Sequence, residues 1–210
     1  MRGRFITLEG GEGAGKTTLI RTLEAALRDR GVDVVVTREP GGTPGAEMLR
    51  DILLKGATDR WSPVTEALLM YAARVDHVER LIEPALARGA WVISDRFADS
   101  TMAYQGTAGG VPVERIRLLH AAALGDFRPD LTLILDLDPK TGIERTLARG
   151  EDATRFERFD GDFHARLRQA FLDIAAAEPG RCAVIDAAQG PDAVAAEARA
   201  AIETRLGVPA

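Results

Sequence analysis

Short apolar runs rich in β-branched residues recur along this 210-residue chain, with helical stripes between them. Phe5–Leu8, Val32–Thr37, Trp91–Ser94, Leu131–Leu135 and Ala183–Ile185 are almost continuously apolar, which predicts parallel strands covered on both faces. Leu19, Leu23 and Leu27 fall on one helical stripe, and Leu68, Tyr71, Val75, Val78 and Ile82 on a second. Phe159, Phe163, Leu167, Phe171 and Ile174 make a third, and Val194, Ala198 and Ile202 a fourth. Ser62-Pro63 reads as an N-cap followed by proline at the first helical position, and Gly31 and Gly89 as helix stops. Five alternations of strand and helix predict one α/β domain over residues 1–210. It would be a five-stranded parallel sheet with helices on both faces, with ligands beyond the carboxyl ends of the strands.

Composition then narrows the partners. A formal net charge of −5 argues against a nucleic-acid coat, which needs surplus cations. No apolar run approaches the roughly 18 residues of a membrane span, and the opening MRGRFITLEGG meets glycine and glutamate too soon for a secretion signal. The single cysteine, Cys182, leaves no intrachain disulfide and fits a reducing cytoplasm; on the last strand it reads as a small buried hydrophobe. His77, His120 and His164 share no metal-ligand spacing and read as solvated or core histidines.

The chemistry begins after the first strand. Gly10-Gly11-Glu12-Gly13-Ala14-Gly15-Lys16-Thr17-Thr18 matches G-x-x-x-x-G-K-[ST], preceded by a strand and followed by the Leu19 helix. Glycines let the backbone turn sharply, so that consecutive N–H groups and the helix end face an anion. Lys16 would meet the β/γ-phosphates and the Thr17 hydroxyl a Mg²⁺ ion, so Gly10 to Thr18 is the expected ATP site. After the third strand, Asp95 can reach the Mg²⁺ shell directly or through water, and Arg96 can grip the phosphoryl group being transferred. A guanine-nucleotide switch needs an Asn-Lys-x-Asp element, and this chain contains no asparagine.

With these motifs in place, the chain resembles the bacterial thymidylate kinases, a P-loop NTP hydrolase fold of the nucleoside monophosphate kinase type. The resemblance rests on Gly10–Thr18, Thr37-Arg38-Glu39-Pro40-Gly41-Gly42-Thr43, Leu49-Arg50-Asp51, Tyr71-Ala72-Ala73-Arg74, Asp95-Arg96-Phe97, the STMAYQG segment at Ser100–Gly106, and Gly125-Asp126-Phe127-Arg128-Pro129-Asp130. It implies transfer of the γ-phosphoryl group of ATP to dTMP, giving dTDP and ADP, by a homodimer. By the same resemblance, Arg96 and Arg50 bind the dTMP phosphate with Glu39 close by, and Glu12 meets the sugar 3′-hydroxyl. Arg74 and Gln105 read the thymine edge beside Thr101. Met70 stands where the family usually has the phenylalanine that stacks on thymine; it reads either as core or as a softer cover for the ring.

Arg149-Gly-Glu-Asp-Ala-Thr-Arg155-Phe-Glu-Arg158 resembles the family's lid, about residues 149–158. The phosphate loop carries Glu-Gly-Ala where one subgroup has a basic residue, so the missing charge is expected from Arg149 and Arg155, with Arg158 third. Lys16, Arg96, Arg149 and Arg155 are thus the expected catalytic set. The alternatives are a kinase for another nucleoside monophosphate, or an ATP-dependent switch protein.

Overall fold

A computed structural model describes residues 2–148 and 155–207. In chain order the elements are β1 (Phe5–Gly10), α1 (Lys16–Asp29), β2 (Val34–Arg38), α2 (Pro44–Leu54), α3 (Pro63–His77), α4 (Glu83–Ala87) and β3 (Trp91–Asp95). There follow α5 (Ala98–Thr101), α6 (Val113–Leu124), β4 (Leu131–Asp136), α7 (Pro139–Leu147), α8 (Gly161–Ala177), β5 (Cys182–Asp186) and α9 (Pro191–Leu206). Wider π-helical turns at Val78–Ile82 and Met102–Ala108 prolong α3 into α4 and continue α5.

The five strands form one wholly parallel sheet in the order β2-β3-β1-β4-β5, as the apolar runs predicted. Because side chains alternate across a strand, each central strand feeds two cores. Ile6, Leu8, Ile93, Leu133 and Leu135 pack with Leu19, Leu23 and Leu27 of α1 and with Val194, Ala198 and Ile202 of α9. Phe5 and Val92 face the other way, onto Leu86 and Phe97, while Ile134 meets Phe163, Leu167 and Phe171 of α8.

The punctuation residues act as expected. Gly31 and Gly89 adopt φ of 76° and 92° after their helices, a conformation that costs glycine little. Ser62 Oγ accepts the Thr65 N–H at 3.2 Å with Pro63 at the first helical position.

Two stripes are corrected. The third begins too early, because Asp160 caps α8 by accepting the Phe163 N–H at 2.7 Å and leaves Phe159 outside the helix, stacked on Phe163. In the second, Leu68 is 52% exposed. Helix α3 lies between α2 and α6; Tyr71, Val78 and Ile82 of the expected stripe are buried, and α3 also turns Glu66, Met70 and Arg74 inward. Hydrophobic periodicity cannot register a buried charged face.

The glycine loop between β1 and α1 backs directly onto α7. A Cβ at Gly13, whose φ is 68°, would lie 2.0 Å from the Gly142 carbonyl oxygen, and a Cβ at Gly142 would lie 2.2 Å from the carbonyl oxygen of Glu12. Gly142 belongs to no nucleotide motif, yet it sets how closely the loop can sit. Gly142→Ala is therefore expected to cost about 1–3 kcal/mol through overpacking, seen as a lower urea midpoint with an unchanged slope.

Candidate active site

The crevice at the carboxyl ends of β1, β2 and β3 lies where strand order departs from chain order, the usual ligand position in such sheets. It holds a cavity of about 280 Å³. One end is cationic, the other presents a few directed polar groups among apolar ones.

Arg96 organises the cationic end. Directly after β3 it adopts φ 70°, uncommon for a side-chain-bearing residue. Its N–H donates to the Leu8 carbonyl at 2.9 Å, and its own carbonyl accepts from Ser94 Oγ at 2.7 Å, which together hold the turn. The guanidinium donates from Nη1 to the Gly10 carbonyl (3.0 Å) and Ser100 Oγ (3.2 Å) and from Nη2 to Glu12 (3.1 Å), and it lies over the Tyr104 ring. Burial works against its charge, but Tyr104, Glu12 and Asp95 outweigh this and raise its pKa.

Glu12 Oε1 also accepts from Tyr104 Oη at 2.6 Å. Burial opposes its ionisation, yet Arg96 and Lys16 hold the carboxyl below its ordinary value. Lys16 is buried and donates to the Gly10 and Gly11 carbonyls at 3.2 and 2.9 Å. Burial and the Arg96 charge lower its pKa. Arg50 donates to the Pro40 carbonyl at 2.7 Å, and Arg38 pairs with Glu47 at 3.1 Å; both line the cavity.

Two oxygen donors at this end suit a divalent cation. Asp95 Oδ1 is buried with no hydrogen-bond partner among the described residues, and Thr17, at the start of α1, lines the same cavity. One carboxylate, one hydroxyl and several waters are what Mg²⁺ commonly takes.

The other end is built on Arg74 of α3. Its side chain is 2% exposed and its Nε donates to Glu39 Oε2 at 2.7 Å. Nη2 donates to the Phe97 carbonyl (3.1 Å) and to Thr101 Oγ1 (3.0 Å), and the guanidinium lies over the Tyr71 and Phe97 rings. Nη1 is buried without a partner among the described residues. Glu39 is occupied on both oxygens, the second accepting from His77 Nδ1 at 3.0 Å, while His77 Nε2 meets Thr37 Oγ1 at 2.7 Å. Glu39 therefore orients Arg74 with its carboxylate already filled, and His77 is the core histidine expected. Met70 is 9% exposed and lines the cavity, so it is at once core and wall. Gln105, in the second π-helical turn, lines it as well and donates Nε2 to Glu66 at 2.6 Å.

The expected residues Glu12, Thr17, Glu39, Arg50, Met70, Arg74, Asp95, Arg96, Thr101 and Gln105 thus converge on one cavity. Arg155 does not join them. Its buried guanidinium donates to the Leu53 carbonyl (3.3 Å) and twice to the Thr58 carbonyl (3.2 and 3.0 Å), and it pairs with Glu66. Arg149 lies outside the described residues. Sequence reasoning gave no site role to Arg38, Pro40, Leu54, Phe97, Ser100, Tyr104 and Phe156, which also line the cavity. All but Leu54 sit inside segments already singled out, without a role of their own.

Comparisons with known proteins point to one family. The thymidylate kinase family model matches residues 8–198. A thymidylate kinase of Caulobacter vibrioides is 57% identical over 207 residues, covering 99% of each chain. One of Cereibacter sphaeroides is 54% identical over 205 residues, covering 96% of this chain and 94% of its own. The crystal structure of thymidylate kinase from Ehrlichia chaffeensis superposes with a TM-score of 0.77 at 35% identity, covering 96% of this chain and 99% of that one.

Behind the Arg96 turn, Glu9 is fully buried and accepts the Phe97 N–H at 2.7 Å and the Ser100 hydroxyl at 2.6 Å. Burial, reinforced by the nearby Asp99 charge, raises its carboxyl from 4.5 to about 7. A carboxyl that keeps its proton longer in the folded chain than in the unfolded one loses stability as pH rises between those two values. The melting temperature of the wild type relative to Glu9→Gln should therefore fall between about pH 5 and pH 7 and level off above. A pH-independent difference would show that Glu9 carries the same charge throughout.

Proposed function

This chain belongs to the thymidylate kinase family, and on that footing we propose that it transfers the γ-phosphoryl group of ATP, with Mg²⁺, to dTMP, giving dTDP and ADP. The observation that carries the reading is the two-ended cavity. Arg38, Arg50 and Arg96 gather cations at one end of an acidic chain, and a buried, unpartnered Arg74 Nη1 waits at the other.

The acceptor oxygen of dTMP is already ionised at neutral pH, so no general base is required. The work left is to hold two polyanions in line and to offset charge that builds between them. Arg96 and Arg50 take the acceptor phosphate, since planar guanidinium forks match phosphate oxygens. Arg96 is also fixed to the phosphate loop through Gly10 and Glu12, which sets acceptor against donor. Glu12, held ionised, accepts from the sugar 3′-hydroxyl. Backbone N–H groups of the loop from Gly10 to Thr18, with Lys16, receive the donor phosphates, Lys16 exchanging loop carbonyls for phosphate oxygens. Asp95 and Thr17 would hold Mg²⁺, which neutralises charge on the β- and γ-phosphates when bound.

Arg74 Nη1 donates to thymine O4 and Gln105 accepts from N3–H, with Met70 against the ring. Arginine has only donors, so it also repels the amino group of cytosine. With Arg155 engaged by Glu66, Arg149 and Arg158 are the arginines of the segment about 149–158 proposed to meet the transferring phosphoryl group.

No described helix is long and apolar enough to cross a membrane; a cytoplasmic enzyme of nucleotide biosynthesis fits the lone, buried Cys182. A homodimer is supported by Met48 on α2, Leu68 on α3 and Leu118 on α6, which are 73%, 52% and 72% exposed on three helices packed in a row. Single exposed apolar residues are ordinary, but large ones on three adjacent helices suit an interface.

Two measurements check these readings. ADP formation from MgATP, with dTMP, dUMP, dCMP, dGMP and AMP offered singly, should be fastest with dTMP. A preference for AMP or dGMP would refute the base assignment, and no acceptor-dependent ADP would favour a switch protein. On gel filtration the wild type should elute at twice its 22.6 kDa chain mass, and Leu118→Glu should elute as one chain. A monomeric wild type would remove the interface.

A further inference from the structure

Glu66 contacts no part of the expected substrate, yet it connects two walls of the cavity. It lies in the first turn of α3 on the inward line shared with Met70 and Arg74, and only 5% of its surface is exposed. Oε1 accepts from Gln105 Nε2 at 2.6 Å, and Oε2 is paired with Arg155. Arg155 is anchored in turn to Leu53, Thr58 and, through its backbone N–H, to the Leu54 carbonyl at 3.3 Å. Its neighbour Phe156 and the same Leu54 line the cavity.

The chemistry of this chain of contacts is directional. A side-chain amide has one donating and one accepting end, and a packed Gln can turn either way at little cost unless a neighbour decides. A carboxylate only accepts. Glu66 therefore draws the Gln105 amide nitrogen to itself and leaves the Gln105 carbonyl oxygen as the end available to a ligand. Arg74, whose Nη1 donor has no partner among the described residues, lines the same cavity as Gln105. One acceptor next to one donor complements a base edge with adjacent N–H and C=O groups, as in thymine and uracil. Cytosine, with a ring-nitrogen acceptor beside an amine, meets it with both polarities reversed. Turned the other way, Gln105 would offer its N–H₂ to that ring nitrogen, but its oxygen would then face the Glu66 carboxylate. The Arg155 guanidinium supplies the counter-charge that a buried carboxylate requires.

We propose that Glu66, held by Arg155, is the positioning residue that sets base specificity by fixing the orientation of the Gln105 amide. The proposal rests on the reading of this cavity as the dTMP site, and it gives Arg155 a task at the base end.

Replacing Glu66 by glutamine keeps its shape but lets it pair with either orientation of Gln105. Steady-state rates with dTMP and dCMP, at saturating MgATP, are measured for the wild type, for Glu66→Gln, and for the double variant Glu66→Gln/Gln105→Glu. In the double variant the amide and carboxylate exchange places, so the amide at position 66 can donate to the carboxylate at position 105, whose second oxygen can only accept. Glu66→Gln is expected to lower the dTMP:dCMP ratio of kcat/KM by roughly 10-fold or more, chiefly through KM for dTMP, with KM for ATP within about 2-fold of wild type. The double variant should recover most of the ratio, which a role in stability alone does not predict. Thermal melting identifies folded variants, and the double variant keeps the test open if the single one is unstable. An unchanged ratio in folded Glu66→Gln, or a double variant with no more selectivity than the single one, would overturn the proposal. A wild type without dTMP-dependent ADP formation would instead remove the site reading beneath it.

Discussion

The site depends on one guanidinium held between two loops. Arg96 follows β3, its N–H reaches β1 at Leu8, and its side chain ties the Gly10 carbonyl, Glu12 and Ser100 together. Phosphate chemistry in a protein of net charge −5 requires cations concentrated in a small volume. Arg96, Lys16 and Arg50 repel one another there, so carboxylates have to be interleaved. Glu12, Glu9 and Asp95 meet that need around Arg96. The left-handed backbone at Arg96 follows from the same constraint, since the side chain must turn back over the phosphate loop instead of continuing along the strand.

A second constraint governs the base end. Arg74 is almost wholly buried, and an unpaired charge there costs several kcal/mol. Glu39 answers its charge, the Phe97 carbonyl and Thr101 answer two of its donors, and Tyr71 and Phe97 cover its faces. The donor left over, Nη1, has no partner among the described residues, and Arg74 lines the cavity. On the proposed reading, specificity comes from saturating every hydrogen bond except those a ligand is meant to complete, and the Glu66–Gln105 contact extends the same logic to an acceptor.

Irregular backbone does part of this placement. The π-helical turn at Met102–Ala108 carries Tyr104 and Gln105, one reaching Glu12 and the other Glu66. A regular helix advances about 100° per residue; the wider turn changes that spacing, and such turns recur at functional sites.

The parallel sheet, the phosphate loop, the helix caps and ten of the seventeen residues lining the cavity are legible in the amino-acid order alone. Those features are local: continuous apolar runs, a glycine pattern, an N-cap, and the strand-end position of Arg96, while Arg50 on α2 and Arg74 on α3 are legible through family motifs. What each charged side chain does there emerges only once the chain is folded. Arg155 and Arg96 look alike in the sequence, but one is held by Glu66 and two carbonyls while the other lines the cavity. Glu39 reads as a residue close to the phosphate site, and in the fold it lines the cavity while holding Arg74 and His77. Glu66 is silent in the sequence because a buried carboxylate sharing a helix face with Met70 and Arg74 has no periodic hydrophobic signature. Its partners at positions 105 and 155 are distant along the chain, and hydrogen bonds and ion pairs depend on distances of a few tenths of an ångström that no one-dimensional pattern carries.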